Sequence, residues 1–553
     1  MEAIVETERI LLENASRRRQ NAIVGEIQIF IAALLVSVAL LNAVANWCSV
    51  PYPIVLVLGG LVLGAIPGIP QIELNPDLVL LLFLPPLLYS NAFFADLPAL
   101  RKDLRVISLM SIGLVLATAA VVGWLAHSVF DLPWAAAFAL GAIVAPTDPI
   151  AASSILRRLG VPRRTVNVLE GESLINDASA LVVYKVAIAA AVGGSFSLGA
   201  ASLEFVGAAA GGIAIGLVVG YLVAEVRRRV DDPSTAVTIS LFTGYAAFLP
   251  ADELGLSGVL AAVTAGVYLG WRAPRLVSPE TRLRTYSVWE TLIFLLNATL
   301  FILIGLQLPL ILDGVRESGL SLGTALAYAA LASVAVIAVR FAWIFGSTVL
   351  IRAVDRRPSQ LERRGSWAGR VVGSWAGMRG AVSMAAALAV PLQTDAGTPF
   401  PGRDLILFVT FAVILVTVVG QGLTLPALIR GLHLHEEEGV EEQEEIRARL
   451  RAAQAAIERL DELSDEEWTN DDTIGRVRNQ YEFRRRRFKV RAGKLEDEDG
   501  IEDRSLSYQR LMHELYTVQR EALIVLRNGG EISNDVMRRV ERELDLEETR
   551  LDV

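Results

Sequence analysis

Between residues 23 and 430 the chain is a succession of apolar runs, most of them near the ~20 residues a helix needs to cross a bilayer core. No other feature constrains the fold as strongly. In hydrocarbon every backbone N–H and C=O must find a partner inside the protein, so this pattern spans as helices. About thirteen spans are expected, at 23–45, 52–69, 77–95, 104–127, 134–156, 167–192, 201–226, 235–251, 255–271, 288–309, 322–351, 371–392 and 403–429. Composition changes after the last of these, where Glu, Asp and Arg become dominant. The expected organisation is an N-terminal segment over 1–22, an all-α polytopic membrane domain over 23–430 that has the lipid bilayer as its partner, and an acidic helical tail over 431–553. Within the tail Ile446, Leu450, Ala453, Ile457 and Leu460 recur at helical spacing, as do Leu511, Leu515, Val518 and Leu523.

Charge placement orients the chain and removes several function classes. The net charge of -9 comes mostly from the tail, and an acidic chain lacks the basic footprint of a nucleic-acid binder. A single cysteine, Cys48, excludes a disulfide scaffold or thiol redox chemistry, and four scattered histidines are too few for a transition-metal site. No cofactor is expected. Residues 1–20 lack the apolar core of a cleaved signal, so the first apolar segment is expected to remain as an anchor. Basic loops follow the odd-numbered spans: Arg101/Lys102/Arg105, Arg157/Arg158/Arg163/Arg164, Arg227–Arg229, Arg272/Arg275/Arg282/Arg284 and Arg352/Arg356/Arg357/Arg363/Arg364. The positive-inside rule then puts these loops and the C-terminal tail in the cytoplasm of a multi-pass plasma (inner) membrane protein. By parity the N-terminus lies outside, although Arg17–Arg19 argue against that.

Charge inside the spans points to function. The sixth span begins NVLEGESLINDASALVVY, with Glu170, Glu172 and Asp177 heading an otherwise apolar run. An ionisable side chain at the centre of a bilayer is costly, by roughly 2.5–3.5 kcal/mol on insertion scales. Helical spacing sets Ser173 and Asp177 on one face, with Glu172 and Asn176 on the neighbouring one. The fifth span carries GAIVAPTDPIAASSIL, where two prolines bracket Thr147 and Asp148. Each proline removes an N–H and disfavours the α conformation before it, so the helix is expected to break there. Irregular backbone at that depth is tolerated where it lines a cavity or is buried in protein. Asp148 then stands at the start of the second half-helix, where the dipole favours a negative charge. The twelfth span, GSWAGMRGAVSMAAALAVP, is loosened by glycines around Arg379. Spans five and twelve hold corresponding places in two six-span halves, which fits inverted repeats with discontinuous helices crossing at the midplane. Arg340, deep in span eleven, needs an acidic partner, and Glu172 is the candidate. Lys185 either lines a cytoplasmic funnel or snorkels to the surface.

Together, FLPPLLYSNAFF (83–94), APTDPIA (145–151), EGESLINDA (170–178), SVWETLIFLLNATLFILIGL (287–306), VRFAW (339–343) and GMRGAVSMAAALA (377–389) resemble the bacterial sodium/proton antiporters of the monovalent cation/proton antiporter-1 family. The resemblance covers about residues 25–430. It implies a homodimer whose protomer has a core domain, with two crossed broken helices, and a dimerisation domain. It places the ion site at Thr147, Asp148, Ser173 and Asp177, with Asn176 just before the key aspartate, and a Glu172–Arg340 bridge beside it. Some members carry an acid after LPP in the third span. This chain has Ser90 there, next to Asn91.

The expected activity is exchange of Na+, with Li+ or K+ as alternatives, for H+ by alternating access. Hard oxygen ligands from carboxylates, a hydroxyl and freed carbonyls suit such a cation. Proton and sodium compete for Asp177, and the core moves once that charge is neutralised, because a bare carboxylate in hydrocarbon costs several kcal/mol. If Glu172–Arg340 stays paired and Asp148 stays ionised, exchange is one for one and electroneutral. Two other classes make different demands. A cation channel would need a continuous polar pathway. An intramembrane aspartyl protease would use Asp148 and Asp177 as a proton-sharing dyad, but neither has the Gly-x-Gly-Asp context of those enzymes. The protein is therefore not expected to be an enzyme.

Overall fold

A computed structural model describes residues 32–67, 76–193, 198–354, 366–435, 440–464, 466, 468–497, 500–549 and 551. The expectations for residues 1–22 and for Arg356, Arg357, Arg363 and Arg364 lie outside the described residues. The chain divides into two compact units, Met1–Glu436 and Glu437–Val553.

The first unit is built from helices, and among the described residues eight are long and apolar enough to cross a membrane, with three shorter apolar ones beside them. In chain order they begin with α1 (Ala32–Cys48), α2 (Tyr52–Gly64), α3 (Pro76–Phe93), α4 (Leu97–Ser128), α5 (Trp134–Val144), α6 (Pro149–Arg158) and α7 (Arg163–Gly193). Then follow α8 (Leu198–Arg227), α9 (Pro233–Glu253), α10 (Gly258–Leu276), α11 (Pro279–Leu306) and α12 (Leu308–Glu317). The unit closes with α13 (Leu322–Val354), α14 (Trp367–Trp375), α15 (Ala381–Leu388) and α16 (Arg403–Gly431). Helix α12 has no counterpart among the expected spans. It is short and amphipathic, burying Ile311 and Val315, a pattern that a search for continuous apolar runs passes over.

Four helices that start after odd-numbered spans are capped alike. Asp96, Asp232, Ser278 and Ser366 each accept a hydrogen bond from a backbone N–H in the first turn of α4, α9, α11 and α14. Such caps satisfy donors that would otherwise be orphaned, and a typical one is worth ~1 kcal/mol.

Where helices are interrupted, neighbours repair them. Pro86 inside α3 has no N–H for the carbonyl of Leu82, four residues earlier, and the Tyr245 hydroxyl from α9 donates to that oxygen at 2.8 Å. In α4 the chain widens to a π-turn over Leu109–Leu114, and Trp343 Nε1 of α13 donates to Leu109 O at 3.1 Å. Close packing depends on small residues. A Cβ on Gly60 of α2 would lie 2.3 Å from Ile302 O, and one on Gly305 of α11 would lie 2.5 Å from Val57 O. Apolar contact between helices is no better than contact with lipid, so backbone approach of this kind is a main source of their association. Gly305→Val is expected to drive α2 and α11 apart and lower the melting temperature of the purified protein by several degrees; an unchanged melting curve would show that the contact is not holding them.

The second unit consists of α17 (Val440–Leu463), α18 (Asp471–Arg491), α19 (Ile501–Asn528) and α20 (Asn534–Thr549). Of the two apolar stripes in the sequence, the first is covered: Ile446, Ala453 and Ile457 are buried. The second is not, since Leu511, Leu515 and Val518 stay exposed. On α19 it is the other side that packs, with Ser505 and Tyr516 buried and Arg520 paired to Asp545 at 2.7 Å and to Glu548.

Candidate ion-binding site

The break in the fifth span is a non-helical stretch, 145–148, between α5 and α6, with Asp148 in extended conformation. Asp148 is the N-cap of α6, and its Oδ1 accepts from Ile150 N at 2.9 Å. The break in the twelfth span runs between Trp375 and Ala381, from the end of α14 to the start of α15. The two breaks meet. Asp148 N donates to Met378 O at 2.8 Å, and a Cβ on Gly380 would fall 1.9 Å from Asp148 Oδ2.

Arg379 is buried at this meeting point. Its Nε donates to Val144 O at 3.0 Å, and its Nη1 donates to Gly377 O. It therefore places a cation on the carbonyl end of α5, where the helix dipole favours one, and does not reach to the membrane surface. The backbone N–H of Arg379 donates to Thr417 Oγ1 at 3.0 Å, a residue of the π-turn Val416–Gln421 in α16. Nothing in the sequence marks Thr417, because a threonine in an apolar helix is commonplace.

Helix α7 packs against the first break, and its two faces take separate tasks. From one face Glu172 receives a bidentate pair from Arg340, Nη1–Oε1 at 2.6 Å and Nη2–Oε2 at 2.9 Å, while Arg340 Nε donates to Gly373 O at 3.1 Å. Thr147 Oγ1 also donates to Glu172 Oε1, at 2.9 Å. Asn176 Nδ2 in turn donates to Thr147 O and Oγ1 at 3.1 and 3.0 Å. Glu172 and Arg340 are 1% exposed, so this is a buried ion pair with its hydrogen-bonding capacity used. From the other face Ser173 and Asp177 join Thr147 and Asp148 in lining a cavity of about 60 Å³. That space admits a few waters, or a small cation with part of its hydration.

Asn91, Asn297 and Ser383 line the same cavity. Asn297 and Ser383 are additions to the expected site, and the signal for each is a polar residue within an apolar span. Ser90, at the position where some relatives carry an acid, is buried and donates to Leu87 O at 3.0 Å. A second cavity, of about 250 Å³, shares Asn91, Pro149, Ile150 and Ser173 with the first and extends to Asp96, Arg157 and Glu170. Glu170 there takes both oxygens to Arg157 Nη2, at 2.7 and 2.9 Å. Lys185 lies outside both cavities, exposed and 3.5 Å from Asp252 of α9.

Gly380→Ala is expected to push the Asp148 carboxylate out of its place, because the added carbon and Oδ2 cannot share that space. If Asp148 holds the cation, exchange in proteoliposomes should then need at least about tenfold more cation, the effect of one misplaced ligand worth ~1.4 kcal/mol. Unchanged cation dependence would show that Asp148 does not contact the ion.

Two interrupted helices crossing over paired carboxylates, within a multi-helix membrane unit, define an ion-coupled secondary transporter. The comparisons give the family. The sodium/hydrogen exchanger transmembrane family matches residues 31–431. An uncharacterized Na(+)/H(+) exchanger of Mycobacterium tuberculosis is 38% identical over 527 residues, 95% of this chain and 96% of its own. The sodium, potassium, lithium and rubidium/H(+) antiporter of Bacillus subtilis is 34% identical over 415 residues, 73% of this chain and 61% of its own. The sodium proton antiporter MjNhaP1 of Methanocaldococcus jannaschii shares the fold, with a TM-score of 0.55 at 22% identity over 74% of this chain and 99% of that one. The chain belongs to the sodium/hydrogen exchanger family and is a multi-pass membrane antiporter.

Proposed function

We propose that Asp177 is the carboxylate for which Na+ and H+ compete, and that Thr147, Asp148 and Ser173 complete the ion's ligands. The observation that carries this is the convergence of these four residues on one small cavity at the crossing of the two breaks. Each offers oxygen, the donor that a hard cation prefers. Asn176, Glu172, Arg340 and Arg379 hold the surrounding backbone and do not bind the ion. The protein needs no cofactor and catalyses no covalent reaction.

Charge balance supports exchange of one Na+ for one H+. Glu172 and Arg340 cancel, and at the crossing of the two breaks Asp148 and Asp177 are opposed by Arg379. One negative charge is left over, and a single Na+ or a single proton neutralises it. Either form can cross the apolar zone without the penalty of a bare carboxylate. The shared wall of the two cavities supports an arrangement open toward the side of the basic loops. That side is the cytoplasm, with the tail there also, in the plasma membrane of a homodimeric protein. Li+ and K+ are alternative substrates, a reading supported by the cations named for the Bacillus relative.

The test is purified protein in liposomes with an imposed proton gradient, each alkali cation added in turn and internal pH followed. Cation-dependent pH change is expected, at a rate that an imposed membrane potential leaves unaltered. A rate that follows the potential would reject one-for-one exchange. Because the two ions compete, the apparent KM for Na+ should rise on acidification, approaching about tenfold per pH unit in the acid limit. A KM independent of pH would place proton and sodium on different groups.

A further inference from the structure

On the other side of the Glu172–Arg340 pair lies a cavity of about 430 Å³ that the exchange mechanism does not use. Val106, Leu109 and Met110 of α4, Val168 of α7, and Ile344 and Ile351 of α13 give it apolar walls. Its rim carries two arginines from different helices, Arg352 at the end of α13 and Arg370 in α14. Arg370 lies over the Phe345 ring at 5.5 Å, and its Nε reaches only Ser366 O, at 3.4 Å. A third arginine in the lining, Arg164, is already neutralised by Asp103, with contacts of 2.6 to 3.1 Å. No carboxylate among the described residues pairs with Arg352 or Arg370. Two half-buried guanidinium groups facing one cavity repel each other, and an anion between them relieves that repulsion.

We propose that this cavity is a binding site for an anionic phospholipid, its phosphate held between Arg352 and Arg370 and the start of its acyl chain lying in the apolar part. The volume falls within the range of ordinary small-molecule sites. Basic pockets between membrane helices are suited to phosphate headgroups, and arginine can meet a phosphate with two parallel hydrogen bonds. The lipid would touch α4, α7, α13 and α14 together, and so brace the wall formed by the Glu172–Arg340 pair. The site is independent of the reading given above for Asp177, because its occupancy can be measured without transport.

The experiment is thermal unfolding of the full-length protein in a neutral detergent, titrated with phosphatidylglycerol, phosphatidylcholine or inorganic phosphate. Phosphatidylglycerol is expected to raise the melting temperature saturably, and the other two are not. In Arg352→Gln/Arg370→Gln the half-saturating lipid concentration should rise about twenty-five-fold, about fivefold for each guanidinium removed. Arg228→Gln/Arg229→Gln, whose arginines pair with Glu225, should titrate like the parent. Val168→Phe keeps both arginines and fills the apolar part, and should weaken the lipid effect as well. That variant decides the matter should the double arginine variant fail to fold. Equal responses to the charged and neutral lipids, or an unchanged titration in the variants, would overturn the proposal. If inorganic phosphate alone reproduced the shift, the site would be one for a free anion and the lipid assignment would fall.

Discussion

Asp177→Asn is expected to abolish cation-driven proton movement, down to the leak of protein-free liposomes, while leaving the protein folded and monodisperse. Asparagine keeps the size of the side chain and can still place an oxygen in the cavity. What it removes is the titratable negative charge, so neither a proton nor Na+ is needed to neutralise the site. Among the described residues no side chain donates a hydrogen bond to Asp177, so no buried donor there loses its partner, and stability should hold or rise slightly. Exchange remaining at even a tenth of the parent rate would remove Asp177 from the centre of the mechanism. The parallel change Ser173→Ala takes away one proposed neutral ligand and should weaken the apparent cation affinity without ending exchange. The two variants therefore separate a residue that carries charge from one that only coordinates.

Arg340→Met should act in the opposite order, on stability first. It leaves Glu172 buried with Thr147 as its one remaining side-chain donor among the described residues and no paired charge. Breaking one half of a buried, hydrogen-bonded ion pair typically costs about 3–5 kcal/mol. The expected result is a large fall in melting temperature and poor recovery from the membrane. Glu172→Gln/Arg340→Met restores neutrality and should recover part of the loss. A double-mutant cycle read by thermal unfolding should thus give a coupling of about 0.5–3 kcal/mol between the two positions. A melting curve for Arg340→Met that overlays the parent would mean that the pair does not hold α7 against α13.

Much of this was legible in the chain because membranes make sequence patterns strict. The two prolines around Thr147 and Asp148 forced a break, and the backbone there is non-helical. Helical spacing separated Ser173 and Asp177 from Glu172 and Asn176. The two pairs do go to different partners, the first to a cavity and the second to Thr147 and Arg340. Arg340 called for an acid and found Glu172. The tail behaved differently. Its two apolar stripes looked equivalent by spacing, yet Ile446, Ala453 and Ile457 are covered while Leu511, Leu515 and Val518 are not. Periodicity says which residues share a face and nothing about whether another helix lies on it.

What the sequence determined by itself was local: which stretches are helical, where two of them break, and which charges are too deep to be accidental. Those follow from the solvent and from backbone hydrogen bonding, which act on neighbours along the chain. Only the tertiary structure decided that Asp148 meets Met378, that Gly380 lies against the Asp148 carboxylate, that Arg379 answers the carbonyl of Val144, and that Thr417 receives the Arg379 N–H. These contacts join residues 38 to 235 positions apart, and no spacing rule reaches across such separations. They exist because two broken helices leave polar backbone in an apolar setting, where each such group must be satisfied by whatever the fold brings beside it.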